Sequence, residues 1–188
     1  MIKDDEMKRE NNSTTQLTIN AMLAALCAVL GYVSLEMGNF KLTFESVPVL
    51  MAALMYGPVS GALVGGVGTF IYQILRYGIT VTTLLWIMPY VMAGFAAGLY
   101  ARKYNFSNTN KQLMFIIICM ELMIFVVNTA SLTIDSLVYG YYSPAFIFGT
   151  LGLRFVVAIG KGIAFGAVLP GVLKKLSKLT HNGTARDI

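Results

Sequence analysis

The sequence has little charge and few reactive side chains. Of its 188 residues, 12% are charged and 56% belong to the apolar set, with one histidine and two cysteines. A soluble domain carries about twice that share of charge, so the composition argues against a soluble globule. Cys27 and Cys119 lie in separate apolar runs without disulfide or metal spacing. We interpret both as packing residues and expect neither a metal site nor a cofactor.

The motifs of common catalytic and energised proteins are missing. No GxxxxGK[ST] phosphate loop, HExxH zinc motif, GxSxG nucleophile motif or His/Cys cluster occurs in the chain. No row of acids follows its middle, and it is too short for two clear inverted halves. These absences argue against an ATPase and against enzymes that use the HExxH or GxSxG motif. They leave a non-enzymatic protein that binds something without a visible source of energy for transport.

Long apolar runs are present, and several approach the roughly 20 residues that cross a bilayer core. They predict an all-α integral membrane protein built as a six-helix bundle. The expected spans are 17–35, 43–57, 59–77, 82–101, 112–134 and 146–173. The second is too short to stand upright alone. We expect one membrane domain, residues 17–178, between polar cytoplasmic tails at 1–16 and 179–188.

The basic residues support this count. With six spans and both termini in the cytoplasm, ten of the fourteen basic residues lie inside and only Lys41 and Arg76 lie outside. Such a bias is typical of short cytoplasmic loops. The net charge of +5 is therefore a topology signal, and we expect no nucleic-acid partner.

The remaining two cations, Arg154 and Lys161, stand inside the last span. Charged side chains at this depth cost several kcal/mol, so they usually face a cavity or a partner. Seven residues is nearly two helical turns, which places both on one face about 10 Å apart. We interpret them as a cationic stripe descending from the outer surface. An internal salt bridge to Glu121, Asp135 or Glu36 is the alternative.

Most other polar and aromatic residues at membrane depth fall in the outer half. They predict an outward-facing cavity with aromatic walls and two or three cations, suited to a flat, partly anionic organic molecule. The expected substrate-binding residues are Arg154, Lys161, Arg76, Trp86, Tyr90, Asn128, Phe40 and Glu45.

Small residues recur four apart, which lets helices approach closely. The pairs Gly61/Gly65, Gly94/Gly98 and Gly162/Gly166 predict packing within the bundle. The first span has an alanine stripe with small neighbours, which predicts a contact with a separate membrane subunit. Its members are Ala21, Ala24, Ala25 and Ala28.

Three stretches resemble a known family. They are "AMLAALCA" in the first span, "VPVLMAALMYGPVSGALVGGVGTF" around the second and third, and the basic C-terminal tail. Over residues 17–178 the chain resembles the S components of energy-coupling factor (ECF) vitamin transporters. The resemblance implies an outer-half pocket for the vitamin in a bacterial cell membrane. It also implies that the alanine stripe meets a membrane coupling subunit, which works with two cytoplasmic ATPases.

The stretch "RYGITVTTLLWIMPYVMAG" is similar to folate-specific members. Folate has a flat pterin and a carboxylate-bearing end, which suits aromatic and cationic walls. Riboflavin, thiamin, pantothenate or a precursor remain alternatives. A stand-alone carrier or channel and a scaffolding subunit are the other classes that the residues leave open.

Overall fold

The computed structural model describes residues 2–37, 40–104 and 109–184, which form seven helices and one two-stranded ribbon. In chain order these are α1 (Ile2–Tyr32), β1 (Leu35–Met37), β2 (Phe40–Leu42), α2 (Ser46–Tyr56), α3 (Pro58–Tyr77), α4 (Thr83–Lys103), α5 (Asn110–Val138), α6 (Pro144–Phe148) and α7 (Leu151–Thr184). Within those ranges five segments are long and apolar enough to cross a membrane, and α2 is a shorter apolar helix. The predicted integral membrane helical bundle is confirmed.

Side-chain contacts fix the direction of the first half of the bundle. Gln16 Nε2, at the middle of α1, donates to Ser60 Oγ, near the start of α3, at 2.9 Å. Arg76 Nη1, near the end of α3, donates at 3.0 Å to the carbonyl of Tyr32, the last residue of α1. The two helices are therefore parallel. Helix α2 must run back between them, because it connects the end of α1 to the start of α3.

The second half alternates in direction. Ser131 Oγ, late in α5, donates to the Leu85 carbonyl, early in α4, at 2.8 Å. The rings of Phe125 on α5 and Phe155 on α7 lie 5.9 Å apart, whereas residues earlier in α5 meet residues later in α7. Consequently α1 begins and α7 ends at the same end of the bundle, as six crossings require.

Helix α2 is the predicted second span, and it lies at the centre of the bundle. Its 11 residues cover about 16 Å at 1.5 Å per residue, which is half of a bilayer core. Val49, Leu50 and Ala53 are fully buried. Gly57 has φ 95°, a conformation that glycine adopts readily, and it redirects the chain into Pro58 at the start of α3.

Two features depart from the expected spans. The loop after α1 pairs into an antiparallel ribbon in which Leu35 lies opposite Leu42. The last span is divided into α6 and α7 by Gly149 and Thr150. The length of an apolar run does not reveal either feature, because neither the ribbon nor the break changes the apolar composition of its segment.

Helices α3 and α4 are in backbone contact through glycine. A Cβ built on Gly61 would lie 2.5 Å from the Gly94 carbonyl oxygen and 2.6 Å from Ala53 Cβ. One on Gly65 would lie 2.7 Å from the Tyr90 carbonyl oxygen. Gly162 and Gly166 lie against Ile118 and Met114 of α5 in the same way. The glycine pairs therefore pack the bundle internally.

Substitution of Gly61 tests this contact. We expect Gly61→Ala to destabilise the protein by about 1–3 kcal/mol, because the methyl group would overlap a carbonyl that cannot move without shifting α4. The matched control is Gly160→Ala on α7, where a Cβ has open space and alanine is the better helix former. Thermal unfolding of the detergent-solubilised protein measures both. Equal melting temperatures for the two variants would contradict the packing argument.

Candidate substrate-binding cavity

A polar cavity of about 80 Å³ lies among α4, α5 and α7. Thr43, from the link between β2 and α2, also contributes to its wall. The lining residues are Thr43, Tyr90, Glu121, Ile124, Phe125, Asn128, Arg154, Val157, Ala158 and Lys161. Sites for drug-sized ligands have volumes of about 300–1,000 Å³, so this cavity must widen to hold such a molecule.

Two matching stripes build the wall. On α5, Glu121 and Asn128 are seven residues apart, and on α7, Lys161 and Arg154 have the same spacing. Because α5 and α7 are antiparallel, Glu121 meets Lys161 while Asn128 lies at the level of Arg154. The cavity thus has a deeper level with both signs of charge and an outer level with one cation and one amide.

The deeper level is an ion pair. Lys161 Nζ lies 3.0 Å from Glu121 Oε2, with side-chain exposures of 14% and 1%. Lys161 Nζ also lies 5.6 Å from the centroid of the Phe165 ring, within the range of a cation–π contact. The salt-bridge alternative therefore holds for Lys161, and the expected stripe of two free cations is reduced to one.

Arg154 lies in the first turn of α7, just after the break that separates α7 from α6. Its backbone N–H donates to the Thr150 carbonyl at 3.0 Å. Its Nη1 is buried and has no hydrogen-bond partner among the described residues. A guanidinium has only donors, so this group can take an acceptor such as a carboxylate.

Tyr90 and Thr43 close the opposite wall. Their hydroxyls lie 3.1 Å apart, and both side chains are buried. This bond ties the link before α2 to the middle of α4. Thr43 contributes to the cavity although the sequence pattern gave no signal for it.

Arg76 and Trp86 lie away from this cavity, although both were expected to bind substrate. The Arg76 guanidinium is 5.9 Å from the ring centroids of Tyr32 and Tyr77, so it joins the ends of α1 and α3. Trp86 Nε1 donates to Asp135 Oδ1 at 3.3 Å and links α4 to α5.

Glu45 and Phe40 were also expected to bind substrate. Glu45 is 2% exposed but does not line the cavity. The side chain of Phe40 lies outside the described part of the structure.

Asp135 also holds the connection between α5 and α6. The Tyr141 hydroxyl donates to Asp135 Oδ2, and the rings of Tyr141 and Phe146 meet edge to face with centroids 5.8 Å apart. Burial, followed by the hydrogen bond and charge of Asp135, raises the pKa of Tyr141 to about 12. Tyr141 therefore stays protonated and able to donate at any physiological pH.

The alanine stripe of α1 is divided between two faces. Ala24 and Ala28 are buried at 5% and 6% exposure, whereas Ala21 and Ala25 are exposed. A Cβ built on Gly68 of α3 would lie 2.8 Å from the Ala24 carbonyl oxygen, so this part of the stripe packs on α3. The exposed pair can meet another protein. Helix α1 is also the least buried of the five long segments in the described ranges.

Glu121 was predicted as one of the alternative salt-bridge partners for a cation, and its pair with Lys161 confirms that alternative. Its place on the cavity wall was not predicted, although residues 121, 124, 125 and 128 repeat the spacing of residues 154, 157, 158 and 161. A polar residue at each end of a seven-residue helical stripe marks a common face. Within the described residues, no three His, Cys, Asp or Glu side chains cluster as metal ligands would.

A polytopic helical bundle with a polar cavity between its helices fits the class of membrane proteins that bind a solute. The sequence model of the ECF transporter, substrate-specific component, matches residues 15–178, and the chain belongs to this family. It is thus a multi-pass membrane subunit that binds a substrate and works with the membrane partners of an ECF transporter. The family consists of transporter components and not of enzymes. No curated protein matches the chain significantly.

The ion pair can be tested by removing one or both charges. We expect Lys161→Met to destabilise the protein by about 3–5 kcal/mol, because it leaves the Glu121 carboxylate buried without its partner. The double variant Glu121→Gln/Lys161→Met removes both charges and should recover most of that loss. Thermal unfolding in detergent gives the comparison. Additive losses in the double variant would show that the two side chains do not interact.

Proposed function

We propose that the protein is the vitamin-binding S component of an ECF-type importer in a bacterial cell membrane, and that folate is its substrate. It would work with a membrane coupling subunit and two cytoplasmic ATPases. The observation that carries the proposal is the cavity itself. Its wall combines a half-buried arginine, whose buried Nη1 has no hydrogen-bond partner among the described residues, with the aromatic rings of Tyr90 and Phe125.

The charge of the wall favours an anionic ligand over a cationic one. Arg154 and Lys161 are cations and Glu121 is the one carboxylate among the lining residues, so the lining carries a formal charge of +1. Folate brings carboxylates at one end, which a guanidinium can hold through charge-assisted hydrogen bonds. Thiamin is a cation, and this wall would repel it. The flat pterin suits the aromatic rings, which offer apolar faces for contact.

The proposed site requires the cavity to widen. Folate has the size of a drug-sized ligand, and the present volume is about 80 Å³. The break between α6 and α7 at Gly149 and Thr150 lies directly before Arg154. A change of direction at this break would displace the first turn of α7, which carries Arg154, and leave the glycine-packed helices α3 and α4 unchanged.

Folate binding depends on Arg154 in this proposal. We expect Arg154→Gln to weaken folate binding by about tenfold or more, because one charge-assisted hydrogen bond contributes about 1.5–3 kcal/mol. The matched control is Arg102→Gln, which changes an exposed arginine near the other end of α4. Calorimetric titration of the purified protein measures both. Absence of folate binding by the unmodified protein would remove folate as the substrate, and equal affinities in both variants would remove Arg154 from the site.

The exposed side of the alanine stripe is the proposed contact with the coupling subunit. We expect Ala25→Trp to abolish energised uptake while substrate binding persists, because the bulky ring prevents a close approach to a partner helix. The control is Ala164→Trp, an exposed alanine on α7. Uptake is measured in vesicles that contain the complete transporter. Normal uptake with Ala25→Trp would place the coupling contact elsewhere.

A further inference from the structure

Two side chains of the cavity carry buried polar atoms that lack hydrogen-bond partners among the described residues. They are Oε1 of Glu121 and Nη1 of Arg154. A buried group left unsatisfied costs about 1–3 kcal/mol, and more when it is charged. Native proteins keep few such atoms, and each calls for a physical explanation. Two of them on the wall of one cavity suggest a common cause.

The two atoms have opposite chemistry. An ionised carboxylate only accepts hydrogen bonds, and a guanidinium only donates them. They also stand at different levels, because Glu121 pairs with Lys161, which is seven residues and about 10 Å along α7 from Arg154. The cavity therefore offers an acceptor at its deeper level and a donor at its outer level.

Lys161 explains why the acceptor is available. Its ammonium group contacts Oε2 and neutralises the carboxylate, which leaves Oε1 for another donor. Hydrogen bonds to a carboxylate are stronger than those to neutral acceptors. A pair that served stability alone would be expected to satisfy both oxygens, since the remaining lone pairs of a buried ion pair also require partners.

We infer that Glu121 determines specificity by accepting a hydrogen bond from an N–H group at the inner end of the substrate, while Arg154 binds a carboxylate at its outer end. Lys161 is a positioning residue that orients Glu121. This inference rests on the proposed folate function and adds an orientation to it. The amino and ring N–H groups of the pterin lie deep, and the glutamate carboxylates lie toward the outer end.

The two halves of folate, used as separate probes, test this orientation. The probes are 6-hydroxymethylpterin, which lacks the carboxylates, and p-aminobenzoylglutamate, which lacks the pterin. We expect Glu121→Gln to weaken folate and hydroxymethylpterin by about tenfold or more and to change p-aminobenzoylglutamate by less than about threefold. Arg154→Gln should weaken p-aminobenzoylglutamate by about tenfold or more and change hydroxymethylpterin by less than about threefold. Calorimetric titration of the purified protein in detergent measures all three ligands.

Glu121→Gln leaves Lys161 without its partner, so this variant can fail to fold. The double variant Glu121→Gln/Lys161→Met removes that charge and should show the same selective loss of hydroxymethylpterin. If the unmodified protein binds folate but each variant weakens both halves equally, or neither half, the orientation is wrong and the proposed substrate stands. If the unmodified protein does not bind folate, both the substrate and the orientation fail.

Discussion

The close approach of α3 and α4 is the constraint on which the rest of the bundle depends. Gly61 and Gly94 bring the two backbones together, and α2 packs on both through Val49 and Ala53. Lipid supplies no hydrophobic force between helices, so such contact must come from shape and small residues. Helices α1 to α4 therefore form one compact half of the bundle. Against it lies the pair α5 and α7, whose polar stripes face the cavity.

The cavity forms where these halves meet, and its electrostatics follow from burial. Two charges at membrane depth are tolerated because Lys161 and Glu121 neutralise each other at 3.0 Å. Arg154 Nη1 has no such partner among the described residues, and Arg154 lies about 10 Å along α7 from Lys161. Packing thus decides which cation is structural and which is open to a ligand.

Run length and basic-residue bias were enough to predict the helical membrane bundle and most of its helices. The expected depth of each residue in the membrane placed Tyr90, Asn128, Arg154 and Lys161 in one group, and all four line the same cavity. The depth of a residue does not show which face of its helix the side chain lies on. Arg76 and Trp86 have suitable depths, but their helices direct them to the carbonyl of Tyr32 and to Asp135. The partner of Lys161 and the break before Leu151 depend on tertiary packing, which a single sequence does not encode locally.

The short α2 has a consequence for biosynthesis. A helix of 11 residues is too short to be retained in a bilayer on its own, and most of its residues are buried by α1, α3, α4 and α7. During synthesis it must therefore enter the membrane together with α3, as one hairpin joined at Gly57. Helix α2 becomes fully buried only after α4 has packed against it. Chain insertion and helix packing cannot be separate stages for this part of the protein, and a substitution that disturbs α3–α4 contact would also reduce the yield of correctly inserted protein.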